Sequence, residues 1–127
     1  MRDEKLWTLF RRLLLGTVTE ALVAEEWPVE LRGLELRFHE DSVFEVPRLD
    51  NNMRFKGEVS AHLTVTPSLQ QVASLRARLE RVWPEIVAVL DIPIGDRLTP
   101  DRNHVEVEVG PDEAGPTLRI GFDLEAD

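Results

Sequence analysis

The sequence predicts an α+β domain in which two helices cover one face of an antiparallel sheet, forming a two-layer sandwich. Two long segments carry apolar residues at helical spacing, and five shorter segments alternate apolar and polar residues as half-buried strands do. Alternation in every strand indicates a sheet with one buried face and one polar face. The expected order is α-β-β-β-α-β-β, with a five-stranded, mainly antiparallel sheet and both helices on its buried face.

The first helix is predicted over residues 3–26 and is unusually apolar. Its apolar residues spread over roughly two-thirds of the circumference, whereas an ordinary surface helix buries an arc nearer to about 100°. The additional flank must contact either another element of this chain or a second copy of it. For a homodimer built on this helix, the expected contact residues are Trp7, Leu15, Val18 and Leu22. Pro28 is expected to end the helix, since the residue before a proline disfavours the α conformation.

Three strands are predicted between the two helices. The first spans residues 29–38, with a bulge at Gly33 because its alternation slips by one residue there. The second is short, over residues 43–46. The third, over residues 54–66, alternates most regularly and should turn Val59 and Leu63 toward the core.

The second helix has two candidate start signals. Thr66 is a suitable N-cap before Pro67, and Ser68 with Gln71 offers a capping box slightly later. The helix should continue to about residue 90, with a kink or a restart at Pro84 on its polar side. Two alternating segments, 104–109 and 118–125, then predict the last two strands on either side of a turn.

Length and composition indicate a single domain over residues 1–127. The absence of cysteine excludes disulfides and thiolate metal sites. The net charge of −9 is uneven, because residues 91–127 hold ten acidic and three basic groups. Such a field disfavours nucleic acid and anionic membranes, and it favours either solubility, as a well-solvated end of the domain, or a basic protein as the partner. Without a signal peptide or a run of about 18 apolar residues, the expected location is the cytoplasm.

One group of residues on the predicted polar sheet face has the chemistry of a site. His62, His104 and Glu106 would bind a divalent ion, or perform acid/base catalysis, if their strands were neighbours. No local spacing, such as HExxH, requires that arrangement. The acidic segment between the second helix and the fourth predicted strand lacks calcium-loop spacing and is interpreted as a connection.

These patterns favour a non-catalytic protein-interaction or accessory module that acts as a homodimer, without a cofactor. The alternative hypothesis is a small metal-dependent or acid/base enzyme that uses His62, His104 and Glu106. Bound metal, lost on replacement of His104, would distinguish the enzyme from the interaction module.

Overall fold

The computed structural model describes residues 4–38, 53–94, 104–112 and 115–126. Its elements are α1 (Glu4–Ala24), a 3-10 turn (Leu31–Gly33), β1 (Glu35–Phe38), β2 (Met53–His62), α2 (Leu69–Ile94), β3 (His104–Asp112) and β4 (Gly115–Ala126). The α+β class, with two helices and an antiparallel sheet, is confirmed. The sheet that these ranges form has four strands, in the order β1-β2-β4-β3, so the predicted five-stranded sheet is corrected to four. The element order is α-β-β-α-β-β, and the predicted strand at residues 43–46 lies outside the described residues.

The first predicted strand is shorter than its apolar pattern suggested. Val29 forms only an isolated antiparallel bridge with Leu63, and pairing with β2 begins at Glu35. The 3-10 turn lies between them, in place of the predicted bulge at Gly33. Because such a turn rotates successive side chains differently from a strand, it accounts for the slip in alternation without a bulge.

Helix α1 ends in a Schellman motif. The backbone N–H of Trp27 donates to the Leu22 carbonyl at 3.0 Å, and that of Glu26 donates to the Val23 carbonyl at 3.1 Å. Glu26 takes the left-handed conformation that this motif requires, with φ of 53°. Trp27 and Leu22 both belong to the buried core. The helix therefore ends before Pro28 because the Leu22 and Val23 carbonyls accept bonds from the residues that follow it, and because Trp27 is buried in the core.

Helix α2 begins with the capping box. The Ser68 N–H donates to Gln71 Oε1 at 3.0 Å, and the Gln71 N–H donates to Ser68 Oγ at 3.1 Å. This confirms the Ser68–Gln71 start over the one at Thr66. The helix continues through Pro84 to Ile94 without the predicted restart. Pro84 lies on the exposed side, where water can solvate the carbonyl that the proline leaves without a donor.

The core lies between the two helices and one face of the sheet. Phe10 of α1 packs against Phe38 and Phe122, with ring centroids 6.1 and 5.3 Å apart. Helices α1 and α2 also contact each other, and Arg78 Nε lies 2.8 Å from Glu25 Oε1. The centre of the apolar arc of α1 is therefore buried by elements of the same chain, while Leu15 on its flank is only half-buried. The fully buried side chains of the core are Phe10, Leu14, Val18, Leu22, Val59, Leu75, Leu118, Ile120 and Leu124.

Candidate binding surface

The polar face of the sheet lies opposite both helices. Its residues alternate with core residues along each strand, and this alternation turns them to the other side. We define the polar face by the members whose side chains are described: Glu35, Arg37, Lys56, Glu58, Ser60, His62, Glu106, Glu108, Thr117, Arg119, Gly121 and Asp123.

Gly121 creates a depression in the middle of the polar face. It pairs with Glu58 of β2 on one side and with Glu106 of β3 on the other. A β-carbon at Gly121 would come no closer than 3.9 Å to a neighbouring atom, the Gly57 carbonyl oxygen. Close packing therefore does not require glycine here. The missing side chain leaves a depression of about 200 Å³, whose rim includes Lys56, Glu58, Glu106, Glu108, Arg119 and Asp123.

A second depression, of about 130 Å³, lies toward β1. At its floor, Thr117 is 4% exposed, and its Oγ1 lies 3.4 Å from Nδ1 of the exposed His62. On its rim, Arg37 Nη2 donates to Glu35 Oε2 at 2.9 Å. This depression is thus lined by groups that already contact one another.

The polar face carries an excess of negative charge. Its members include five acidic residues and three basic ones, which gives a net charge of −2. Arg119 stands in the middle, paired with Ser60 on one side and Glu108 on the other. A cationic ligand in the Gly121 depression would therefore have Glu58 on one side and Glu106 on the other. Both carboxylates would attract it, although surface charges are partly screened by salt.

The histidines proposed as a site lie at opposite ends of the sheet. His62 pairs with Thr117 and His104 pairs with Asp123, six residues further along β4, so the two are separated by about 20 Å. Glu106 lies on the same strand as His104, opposite Gly121. The His104 side chain is outside the described set. Among the side chains that are described, no group of three or more potential metal ligands is found.

The residues expected at a dimer contact are divided between core and surface. Val18 and Leu22 are each 1% exposed within the chain's own core, so in this fold they cannot contact a second copy. Leu15 is half-buried and packs against the edge of that core. The side chain of Trp7 falls outside the described residues. Of the three whose side chains are described, Leu15 is the one placed where a second chain could contact it.

Several members of the polar face were not predicted as a site from the sequence. The alternation indicated that Glu58 and Arg119 would point away from the core. Only the pairing of β2 with β4 and of β4 with β3 brings them together. The signal available in the sequence was the acidic excess of residues 91–127, to which Glu106, Glu108 and Asp123 belong.

Comparison with known proteins adds no assignment. No protein-family model matches the chain, and neither the curated proteins nor the solved structures compared with it yield a match. Within the described ranges, neither helix has an apolar stretch sufficient to cross a bilayer.

Proposed function

We propose that this chain is a non-catalytic protein-interaction or accessory module that binds a basic partner on its polar face. The observation that carries the proposal is the location of both helices on the other face, while the polar face presents four exposed or half-buried carboxylates, beside the buried Asp123, against three cationic groups. Charge complementarity of this kind steers association and selects partners.

The chemistry of the polar face favours an extended segment rich in lysine or arginine. None of its members is phenylalanine, tyrosine or tryptophan, so it offers no platform on which nucleic-acid bases would stack. Glu106 and Glu108 are exposed and lie on the same side of β3. Because an exposed ion pair contributes only about 0–1 kcal/mol, useful affinity requires several such contacts at once.

The homodimer is a second part of the proposal, and it rests on α1. Leu15 supports it as a half-buried apolar residue at the edge of the core. Val18 and Leu22 do not support it, since they are fully buried in the chain itself.

A deca-arginine peptide is a suitable probe for the basic partner. We expect it to bind in low salt, and we expect the double variant Glu106→Gln/Glu108→Gln to weaken binding about tenfold. Loss of two exposed contacts of up to about 1 kcal/mol each accounts for that factor. Fluorescence anisotropy of the labelled peptide measures the dissociation constant, which should rise with salt because exposed charges are screened.

The matched control is Glu80→Gln/Glu85→Gln on the exposed side of α2, which changes the net charge by the same amount. We expect it to weaken binding clearly less than the change on the polar face. Equal weakening by both double variants would show attraction to net charge alone and would contradict the proposal. Failure of the unmodified protein to bind the peptide would contradict it as well.

A further inference from the structure

Strand β3 forms one edge of the described sheet, since within it β3 pairs only with β4. An edge strand presents unpaired N–H and C=O groups that can template pairing with another chain. Asp112 pairs with Gly115, so two residues close the hairpin. In such a hairpin the flanking pair is hydrogen-bonded and the bonded pairs then alternate, which directs the backbone groups of Val105, Val107 and Val109 toward the open edge.

The central one of these outward carbonyls already has a donor from another element. Arg76, on α2, extends to the edge, where its Nη2 donates to the Val107 carbonyl at 3.1 Å in a partly buried contact. An incoming strand would need this carbonyl for its own N–H. It would therefore have to displace a charged donor from a partly desolvated position.

Two further features of β3 oppose pairing with a second copy. Pro111 falls at an outward-directed position and has no N–H to donate, as is typical of prolines tolerated on edge strands. In an antiparallel pair of β3 strands centred on Val107, Glu106 of one chain would face Glu108 of the other. Like charges directly opposite each other destabilise strand pairs.

We infer that Arg76 blocks the β3 edge, so that a second copy of the chain cannot extend the sheet by pairing with it. The guanidinium occupies the middle of the edge, and Pro111 and the two glutamates make the flanking positions unfavourable. This inference is independent of the proposed function. Removing the Arg76 side chain would add an association between copies through β3, whereas neutralising the polar face would remove the binding of a basic partner.

Four variants test whether Arg76 blocks the β3 edge: Arg76→Ala, Glu108→Lys, their combination, and Arg81→Ala as the control. Arg81 is an exposed arginine on the same helix, so its replacement makes the same change in charge. In the combined variant the Arg76 guanidinium no longer occupies the Val107 carbonyl, and the introduced lysine would face Glu106 of the second copy. We expect sedimentation velocity to show a species heavier than the wild-type one for the combined variant. Arg81→Ala and Glu108→Lys alone should sediment like the wild type.

Hydrogen exchange identifies the surface through which the combined variant associates. In the wild type, the amides of Val105 and Val109 should exchange faster than those of Glu106 and Glu108, which bond to β4. In the associated variant, the Val105 and Val109 amides should become protected at least tenfold. The inference is overturned if the combined variant keeps the wild-type mass at every concentration, or if it associates without that protection. Circular dichroism of each variant checks that the compared chains are folded, and Arg76→Gln replaces Arg76→Ala if the alanine variant is not.

Discussion

At the scale of single residues, the end of α1 depends on an unusual backbone conformation. Glu26 is the one non-glycine residue among those described with a positive φ, and it takes the position that glycine usually occupies in a Schellman motif. A β-carbon in the left-handed region costs roughly 1–2 kcal/mol. The buried Trp27 and the two hydrogen bonds of the motif keep the residue in that conformation.

Glu26→Gly should therefore raise the free energy of unfolding by about 1 kcal/mol, because glycine adopts this conformation without the steric cost. Urea denaturation measures the change. Glu30→Gly is the matched control: it removes the same charge at an exposed residue without a positive φ, and it should give no gain. Similar stabilisation by both substitutions would show that removal of a glutamate, and not relief of strain, is responsible.

This helix end also shows what residue patterns leave undetected. A glycine or an asparagine at position 26 would have marked a Schellman motif, but the chain has glutamate there and Pro28 two residues later. Pro28 predicts that the helix ends near the same place, but for a different reason: the residue before a proline disfavours the α conformation. The motif itself depends on the burial of Trp27, which tertiary packing decides.

At the scale of the strands, β1 and β2 approach each other closely at one glycine. Gly57 pairs with Phe38, and a β-carbon at Gly57 would overlap the carbonyl oxygen of Arg37. We expect Gly57→Ala to lower the free energy of unfolding by about 2–3 kcal/mol, since the backbone of β1 would have to move. Denaturant titration monitored by circular dichroism measures the loss.

Gly121→Ala on the neighbouring strand is the control for that substitution. Its β-carbon would meet the nearest atom at 3.9 Å, an ordinary contact, so stability should stay the same or rise by up to about 1 kcal/mol. Equal losses at the two glycines would mean that glycine is needed for some reason other than the close approach of β1.

The helices and strands differ in how well their sequence patterns predicted them. Each of α1, α2, β2, β3 and β4 has a single apolar face, so the period of its apolar residues identified it. Strand order has no such signal, because any antiparallel arrangement would bury the same alternating residues. That order separates His62 from His104 and gathers Glu58, Arg119 and Glu106 around Gly121. The candidate site was therefore beyond what periodicity could predict.

At the scale of the whole molecule, the expected homodimer depends on the exposed flank of α1. Leu15→Glu should convert a dimer into a monomer, because burying the carboxylate against a second chain would be unfavourable. Sedimentation equilibrium measures the mass, and circular dichroism confirms that the variant is folded. Val23→Glu introduces the same group on the same helix at a residue that is 59% exposed, and it should leave the mass unchanged. A folded Leu15→Glu variant with the mass of a dimer would contradict this interface.

The position of β4 has a consequence for how the chain reaches this fold. Strand β4 pairs with both β2 and β3, yet it is the last element in the described chain. The nearest partners between β2 and β4, His62 and Thr117, are 55 positions apart. During synthesis the β2 strand therefore emerges from the ribosome long before its main partner does. Pairing at such sequence separation is slow to form, so the edge of β2 that pairs with β4 keeps its backbone N–H and C=O groups unpaired on the nascent chain until β4 follows.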